Sequence, residues 1–595
     1  MTAPGAEPVQ RRPRIASFWR EHRARWSLPL VIILIIGIVA LIDHLGSRRI
    51  SQAVVPRPPA LVTASDGTTT VDLDTPWSGF NPGTPAGAES STPTLLSAVL
   101  PSAYVIGPKL VPLINSDLLL SVEATSTSPL TIQYVINPAA VWSDGVPVTA
   151  DDFVYAWQSQ RGGAVDVDGQ PDQVASTIGY RDIASVVGSN DGKTVTVTFS
   201  QPFTDWRILF DHMVPSHVAR RVGWNTGFAH FDPSVELSAG PMILQSVSGD
   251  TAVLVRNPRW WGTTAVLKKV TVSIGASPST WLGTMAFDSE SVVQVTSFDL
   301  ATIGAVTGLP NTQSTVRPSL DFLELDFNLR SALTNRVTLR QAVAHLIDRN
   351  TLLAGTFGAI APNQVVSNDH LATPSQTQYN ASPTSGAYAA PDVASADAML
   401  RSLGYHTDPS GTYVDAAGRP LTLRLAVEAG DPWIVEVAQA VVAQLHGAGI
   451  AVQLEPVEGP SGMSQAAEAG SYDMALVTRV SSPFQTVTEA WYSDSGGTAG
   501  TGRTENWSRL ADPQIDQLFL QASQALNPVT GGAFYAQVDD QLWDQMISLP
   551  LFEEPVLQAN GVRIANVQFN PSADGLLWNV DTWTTLKPGP SNQKT

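Results

Sequence analysis

Residues with catalytic or metal-binding side chains are few in this chain, and their spacing supports no reaction. Asp211, His212 and His217 carry groups that ligate metals, but an i,i+5 spacing places the two histidines on different faces of a helix. Glu553 and Glu554 form an acidic pair with no partner for acid–base catalysis, so we interpret them as a solvated pair. We therefore predict no catalytic residue and no metal site.

Sequence motifs of the common enzyme classes are missing as well. The chain has no H-E-x-x-H, G-x-S-x-G or G-x-x-x-x-G-K-[ST] segment. Residues 496–502, GGTAGTG, lack the lysine and the preceding strand of a phosphate-binding loop, so we predict a flexible surface loop. Because there is no cysteine, disulfides, thiolate metal sites, iron–sulfur clusters and an acylated lipoprotein cysteine are excluded. We predict a protein that is not an enzyme and has no cofactor.

Length and charge narrow the class of protein further. At 595 residues the chain is too long for one hydrophobic core, which predicts two or three domains. The formal net charge of −19 argues against a nucleic-acid partner, because the phosphates would be repelled.

Aromatic residues in loops are better candidates for ligand contact. Trp77, Trp142, Trp491 and Trp507 lie in or beside loops rather than on clean apolar faces. Such rings suit stacking on a peptide, a sugar or an acyl chain. The alternative is that most of them belong to the core or to a domain interface.

The amino terminus has the pattern of a membrane anchor. Residues 28–42, LPLVIILIIGIVALI, are apolar and uncharged, and six arginines precede them. The positive-inside rule places this basic side in the cytoplasm. We predict a cytoplasmic tail at residues 1–27, a transmembrane signal-anchor at 28–45 and a proline-rich linker at 46–60. A cleaved signal peptide is the alternative, although no A-x-A site follows the apolar run.

The clearest local element lies in residues 131–158, TIQYVINPAAVWSDGVPVTADDFVYAWQ. Its first six residues are rich in β-branched side chains and predict a strand. Asp144 and Gly145 predict a hairpin-type turn. Thr149 and Asp152, three residues apart before apolar positions, predict a helix that begins close to a capping box.

A second element is predicted nearer the carboxyl terminus. Residues 421–427 form a strand, and residues 435–450 form a helix whose apolar face includes Val437, Val441 and Leu445. A further strand follows at residues 451–456. A strand, a helix and a strand in this order make a βαβ unit, which implies a locally parallel sheet.

Residues 142–153, WSDGVPVTADDF, resemble a signature of extracytoplasmic solute-binding proteins. In the peptide/nickel-binding type that serves ABC importers, called family 5, the pattern is F/W-x-D-G-x-P-[LVF]-T-A-[ED]-D-[VF]. Further matches follow in the family's order, at residues 213–217 (MVPSH), 239–244 (AGPMIL), 253–262 (VLVRNPRWWG), 322–328 with 337–349, and 396–405. The resemblance covers roughly residues 65–585.

The resemblance implies an α/β fold of two lobes, the periplasmic-binding-protein-like fold of type II and of the large cluster C class. Two hinge strands join the lobes, and a subdomain is inserted in the first lobe. The hinge crossings are expected at residues 321–327 and 549–552. The expected divisions are lobe I with the inserted subdomain at residues 61–320, lobe II at 321–550, a return to lobe I at 551–586 and a flexible tail at 587–595.

Ligand binding between the lobes is what the resemblance implies for function. Peptide-binding members hold the ligand's α-amino group with an acidic residue in the loop that matches residues 478–486, TRVSSPFQT. Here this loop has no acid and contains Arg479, which either faces an anionic group or, as the simpler interpretation, is solvated. We predict ligand contacts by stacking and hydrogen bonding from Trp77, Phe80, Ser481, Ser482, Phe484, Trp491 and Trp507.

The function expected on these grounds is import. A membrane-anchored extracytoplasmic protein would bind an oligopeptide or another medium-sized solute and present it to ABC permease subunits. It would be a single-pass protein of the cell membrane, with a cytoplasmic amino terminus, a monomeric ectodomain and no nucleic-acid partner. The alternative is an envelope regulator or scaffold that has kept the fold and acts on glycolipid or cell-wall assembly through a protein or lipid partner.

Overall fold

The computed structural model describes residues 67–586, apart from residues 89, 190, 275–276, 297, 429–431 and 494–504. The predicted cytoplasmic tail, signal-anchor and linker of residues 1–60, the tail of residues 587–595 and the glycine-rich residues 496–502 lie outside the described residues. Within the described part of the chain, no helix is both long enough and apolar enough to cross a bilayer.

Strands and helices alternate along much of the chain. The strands are β1 Thr68–Leu73, β2 Tyr104–Ile106, β3 Pro112–Ile114, β4 Leu119–Thr127, β5 Leu130–Ile136, β6 Ile183–Gly188, β7 Thr194–Phe199, β8 Met242–Ser248, β9 Thr251–Arg256, β10 Lys269–Ile274, β11 Val292–Val295, β12 Thr312–Phe327, β13 His406–Thr407, β14 Tyr413–Val414, β15 Thr422–Glu428, β16 Ala451–Val457, β17 Met474–Val480, β18 Ser548–Gly561, β19 Ile564–Ala565 and β20 Thr584–Thr585. The α-helices are α1 Pro85–Ala88, α2 Thr92–Leu96, α3 Ala150–Gln160, α4 Ser216–Val222, α5 Pro278–Phe287, α6 Leu300–Thr307, α7 Val337–Ala344, α8 Arg349–Thr356, α9 Val393–Ser402, α10 Pro432–Gly447, α11 Gly459–Ala469, α12 Glu489–Tyr492, α13 Pro513–Gln524 and α14 Pro528–Gln545. Short 3-10 helices cover Tyr180–Asp182, Trp206–Ile208, Pro383–Tyr388, Gln485–Thr488 and Leu576–Thr582.

A ten-stranded sheet runs through the molecule in the order β16-β15-β17-β12-β18-β11-β1-β10-β9-β8. Its two central strands, β12 with 16 residues and β18 with 14, are far longer than the average strand of about five or six residues. They are antiparallel to each other and continue through both halves of the sheet. We call the half with β8–β11 and β1 lobe I and the half with β15–β17 lobe II.

The regular pairing of β12 with β18 breaks where the two halves meet. Thr312 to Pro318 pair with Gly561 to Pro555, and pairing resumes from Phe322 opposite Glu553, with a second shift between Leu323 and Glu324. Register shifts of this kind bend a strand and change its twist. The predicted limits of the lobes, at residues 320–321 and 550–551, stay a prediction.

A separate four-stranded antiparallel sheet, in the order β4-β5-β7-β6, lies between β3 and α4 in the chain and packs with α3. The predicted strand and capped helix of residues 131–158 are confirmed as β5 and α3. Both halves of the capping box are present at the start of α3, between Thr149 and Asp152. Asp152 also accepts a hydrogen bond from the backbone N–H of Ser216 (3.0 Å), so the cap fastens α3 to the start of α4.

The predicted βαβ unit is confirmed as β15, α10 and β16, with β15 and β16 parallel. The strand β12 contributes Leu323, Leu325 and Phe327 to the same apolar core as α10. Its alternate residues point to the other face of the sheet. Phe322 on that face joins a second core with α13 and α14, which leaves β12 buried on both sides.

Candidate functional site

Arg479 is the buried centre of a charge network in lobe II. Its side chain is 1% exposed, and its guanidinium donates to Glu324 Oε2 (3.1 Å) and to Asp326 Oδ2 (2.6 Å). The guanidinium carbon also lies 5.6 Å and 5.5 Å from the ring centroids of Trp491 and Tyr492, within cation–π range. The interpretation of Arg479 as a solvated residue is therefore wrong.

The physical reason for this burial lies in the alternation of β12. Glu324 and Asp326 occupy alternate positions of the strand, so both carboxylates point to the face opposite the apolar core. β17 pairs with β12 so that Arg479 stands opposite Phe322, which makes Glu324 its diagonal neighbour. Acidic residues at alternate positions of the otherwise apolar stretch from Phe322 to Phe327 were the sequence signal for a buried cation beside them.

The same network continues through hydroxyl groups. Tyr492 Oη donates to the Glu324 carboxylate (2.8 Å), and Ser548 Oγ donates to Glu324 Oε1 (2.8 Å). Burial raises the pKa of the Asp326 carboxyl to about 8, although the positive charge of Arg479 opposes this effect. We call Arg479, Glu324, Asp326, Tyr492 and Ser548 the Arg479 network.

The loop after β17 is fastened to a neighbouring segment rather than free. Ser481 Oγ donates to Gln376 Oε1 (3.1 Å), and Gln376 Nε2 donates to the carbonyl oxygen of Ser482 (2.6 Å). Gln378 Nε2 donates to the carbonyl oxygen of Pro483. The two glutamines were not singled out from the sequence, where nothing marks them as partners of this loop.

The acidic pair at the crossing of β18 is also not solvated. Glu553 is buried, accepts from the backbone N–H of Ser375 (3.0 Å), and has a pKa raised by this burial. Glu554 is half-buried and accepts from Thr478 Oγ1 (2.7 Å). The interpretation as a solvated pair is wrong, because β18 runs between β12 and the segment that contains Ser375.

The aromatic residues predicted to contact ligand are distributed over several packing clusters. Trp77 is half-buried and packs with Phe80 against the lobe I core, and Phe80 donates its N–H to the carbonyl oxygen of Phe228 (2.7 Å). Trp491 belongs to the core of α13 and α14, and Trp507 packs with Tyr472 beside α11. Phe484 is buried as well. The structure brings Ser481, Ser482 and Phe484 together in one loop, and contact of the predicted residues with a ligand stays a prediction.

Four polar contacts join the segments next to the four-stranded sheet with lobe II. Thr486 donates its N–H to Asp205 Oδ2 (3.1 Å), and Thr204 donates its N–H to the carbonyl oxygen of Ser523 (2.7 Å). The other two are an ion pair of Arg181 with Glu489 (3.6 Å) and a hydrogen bond from Gln524 to Gln201 (2.6 Å). These contacts hold the two regions against each other.

A cavity of about 210 Å³ lies in lobe II, beside the loop that contains Thr486. Its lining consists of Asp369, Leu371, Gln378, Asn380, Gln485, Gly532, Tyr535, Ala536 and Asp539. Burial, and next the charge of Asp539, raise the pKa of the Asp369 carboxyl to about 7. Apart from Gln485, which lies in the predicted ligand loop 478–486, these residues were not identified from the sequence, although Tyr535 and Asp539 are spaced i,i+4 on α14 and so share one helix face.

His212 lies between two carboxylates and so connects the carboxyl-terminal segment with the segment around residue 212. His212 Nδ1 lies 2.8 Å from Asp211, and His212 Nε2 lies 3.7 Å from Asp574. Burial lowers the pKa of His212, but Asp211 and Asp574 outweigh it and raise that pKa to about 9. Among the described residues this is the set whose atoms converge closely enough to ligate a metal, but a protonated ring has no free nitrogen for one. His217, predicted to be separate, pairs with Asp144 instead (2.9 Å).

Comparison with known proteins gives concordant matches. The family model of the bacterial extracellular solute-binding proteins, family 5 (middle region), matches residues 114–500. The oligopeptide-binding protein OppA of Mycobacterium tuberculosis is 28% identical over 498 residues, which cover 82% of this chain and 80% of OppA. LpqW of the same organism, named as a monoacyl phosphatidylinositol tetramannoside-binding protein, is 28% identical over 428 residues, 64% of this chain and 63% of LpqW. The solved structure of the periplasmic EDTA-binding protein EppA is similar with a TM-score of 0.79 at 25% identity, covering 89% of this chain and 98% of EppA.

Proposed function

This chain belongs to family 5 of the bacterial extracellular solute-binding proteins, and from that premise we propose that it captures an oligopeptide or a similar medium-sized solute between its lobes. The family serves ABC importers, and its members bind solutes rather than catalyse reactions. The two-lobed periplasmic-binding-protein fold is that of this family. In the proposed function the loaded protein presents its solute to ABC permease subunits.

The pair of strands β12 and β18 is the observation that carries this proposal. Both strands pass from one lobe to the other and change register at the same level, between Pro318 and Phe322 on β12. Besides this crossing, four polar contacts join lobe II with the segments next to the four-stranded sheet, among them a hydrogen bond of 3.1 Å from the Thr486 N–H to Asp205 Oδ2. Two connecting strands and a small set of polar contacts suit opening and closing about a hinge. The energy for closure has to come from solute contacts that are better in the closed state.

Peptide is the solute class that OppA's name supports. The proposed contacts are those predicted from the sequence, with Trp77 and Phe80 on one lobe and Ser481, Ser482, Phe484, Trp491 and Trp507 on the other. Trp491 and Trp507 are packed within lobe II itself, so solute contact by these two side chains needs a local rearrangement in addition to opening of the lobes.

A thermal-shift screen of the full chain, purified in detergent, against oligopeptides and glycoconjugates tests the binding function. A ligand present at about 100 times its Kd stabilises the folded protein by about 2.7 kcal/mol, which raises Tm. We expect an oligopeptide to do so, and Trp77→Ala to weaken its binding. Trp260→Ala serves as the control, because Trp260 is another half-buried tryptophan of lobe I that is not among the proposed contacts. A flat response across the library would count against the proposal.

Anchoring by the amino terminus is a second part of the proposal. The apolar run of residues 28–42 behind a basic tail supports a single-pass protein of the cell membrane, with residues 61–586 outside the cytoplasm. We expect the chain in membrane fractions to keep its native amino terminus, and a chain without residues 28–45 to lose membrane association. Recovery of a soluble chain that starts between residues 47 and 60 would instead establish a cleaved signal peptide.

The similarity to LpqW supports a second candidate function. A protein of this fold that recognises a mannosylated phosphatidylinositol would act in envelope assembly, through a glycolipid or a protein partner. In the same thermal-shift screen, a response to phosphatidylinositol mannosides and none to peptides would favour this candidate over import.

A further inference from the structure

The cavity between α14 and the segment 369–380 contains two carboxylates and one balancing cation. His370 Nδ1 lies 2.6 Å from Asp539 Oδ1, and His370 Nε2 lies 3.2 Å from the carbonyl oxygen of Ser548. Because both ring nitrogens face acceptors, both carry protons, and the ring is a cation. Asp369 is the second carboxylate, and its oxygens accept from the backbone N–H groups of Leu371 and Asn380 (both 2.8 Å). The ionised cavity therefore carries an excess of one negative charge.

Two polar atoms at this cavity are buried without a partner. Asp539 Oδ1 accepts from the ring and from the backbone N–H of His370, whereas Asp539 Oδ2 has no hydrogen-bond partner in the described part of the chain. The hydroxyl of Tyr535, one helical turn earlier on α14, is also buried and unpartnered among the described residues. A buried polar atom without a partner costs about 1–3 kcal/mol. Both residues line the cavity, and an N–H donor bound there is the kind of partner that each atom lacks.

The chemistry of the lining favours an organic cation over a metal ion. Within the described residues, three metal-ligating side chains converge at Asp211, His212 and Asp574, away from this cavity. The remaining polar groups of the lining are the amides of Gln378, Asn380 and Gln485, which suit hydrogen bonding to an ammonium group. A volume of about 210 Å³ accommodates such a group with part of its aliphatic chain.

The cavity borders the contact between lobe II and the segments next to the four-stranded sheet. Gln485 lines it, and the next residue, Thr486, donates its N–H to Asp205 of the opposite region (3.1 Å). Gln378 lines it from another side and holds the carbonyl of Pro483 in the same loop. A group bound in the cavity would therefore lie next to the loop of lobe II that makes this contact.

We propose that this cavity is a subsite for an ammonium group of the solute, which Asp539 Oδ2 and Tyr535 Oη bind directly and Asp369 balances in charge. The inference rests on the proposed function in that the ammonium group belongs to the captured solute. It adds that the preferred solutes carry an amine, such as a lysine side chain.

Isothermal titration of the full chain in detergent with cadaverine, a five-carbon diamine, tests the subsite. Pentane-1,5-diol, which has the same length and no charge, is the control ligand. We expect saturable binding of cadaverine and none of the diol. Asp539→Asn should weaken cadaverine binding at least about tenfold, because it removes a charged hydrogen-bond partner.

Tyr535→Phe separates binding from folding. Since the Tyr535 hydroxyl has no partner in the described chain, its removal should leave Tm unchanged or raised, yet weaken cadaverine binding by about threefold or more. Asp544→Asn, an exposed position of the same helix, should leave the affinity unchanged. Absence of cadaverine binding, equal binding of the diol, or full affinity in both Tyr535→Phe and Asp539→Asn would overturn the proposal.

Peptide pairs distinguish this inference from the proposed function. We expect Ala-Lys-Ala to bind more tightly than the same peptide with norleucine in place of lysine, with the preference lost in Tyr535→Phe. Peptides that bind without this preference would overturn the subsite and leave the peptide function standing. Cadaverine binding at the cavity with no response to any peptide would support the subsite and count against the peptide function.

Discussion

Replacement of Arg479 by methionine measures how much the Arg479 network stabilises lobe II. Methionine keeps much of the side-chain length but removes the charge and the hydrogen bonds to Glu324 and Asp326, which are themselves fully buried. Loss of one member of a buried ion pair costs about 3–5 kcal/mol, because an uncompensated charge remains. For Arg479→Met we expect the lower end of this range, a loss of about 3 kcal/mol. With Arg479 in place the pKa of Asp326 is already about 8, so near neutral pH this carboxyl is mostly protonated and is not left as a charge, and Glu324 keeps the hydroxyl donors Tyr492 and Ser548.

A loss of about 3 kcal/mol corresponds to a decrease in Tm of roughly 6–12 °C for a unit of 150–250 residues. Differential scanning calorimetry of the full chain measures this decrease. Arg330→Met is the matched control, since Arg330 forms an ion pair with Glu468 in the same lobe, but both side chains are at least half exposed. Exposed pairs contribute about 0–1 kcal/mol, so this variant should keep nearly the native Tm.

A combined variant tests whether the loss of Tm arises from buried carboxylates that are left without a cation. Arg479→Met together with Glu324→Gln and Asp326→Asn should recover a large part of the lost Tm, because no buried charge remains unpaired. If Arg479→Met lowered Tm no more than Arg330→Met, or if the neutral triple variant were less stable than the single variant, the proposed electrostatic origin would be refuted.

Two further predictions concern His212 and Thr149. The pKa of His212 is raised from 6.5 to about 9 in the folded chain, so protonation of this ring stabilises the fold. This stabilisation is fully present below pH 6.5 and is lost as pH rises through 9, which lowers the free energy of unfolding by about 2 kcal/mol between pH 7 and 9.5. Urea unfolding should therefore show a stability difference between the native chain and His212→Gln that shrinks over this interval. A difference that stays constant with pH would contradict the assignment. Thr149→Ala should lower the free energy of unfolding by about 1 kcal/mol through loss of the α3 cap, and Thr149→Ser should retain it; equal stability of the two variants in urea would refute a role for the cap.

Local sequence patterns predicted local structure well in this chain. The β-branched run, the turn and the Thr149–Asp152 pair each depend on residues within a few positions of one another, and β5 and α3 follow them. The βαβ unit of β15, α10 and β16 is similarly local. The patterns failed for Arg479 and Glu553, whose partners Glu324, Asp326 and Ser375 are separated from them by more than 100 residues.

The candidate subsite shows the same limit. Asp369 and Asp539 are separated by 170 positions, and α14 with the segment around His370 brings them to one cavity. Neither the sequence distance nor the residue types indicated that they share a space. The i,i+4 spacing of Tyr535 and Asp539 placed them on one face of α14, but it did not indicate what that face contacts.

The sequence by itself determined the family, the capped helix α3, the βαβ unit and the absence of cysteine chemistry. These depend on residue type and on short spacing along the chain, which are the same before and after folding. Only the tertiary structure decided that Arg479 is buried between two carboxylates, that Glu553 is enclosed, and that Tyr535 and Asp539 border a cavity. The reason is that burial and charge pairing are set by β12 and β18, which bring distant segments together across the whole sheet.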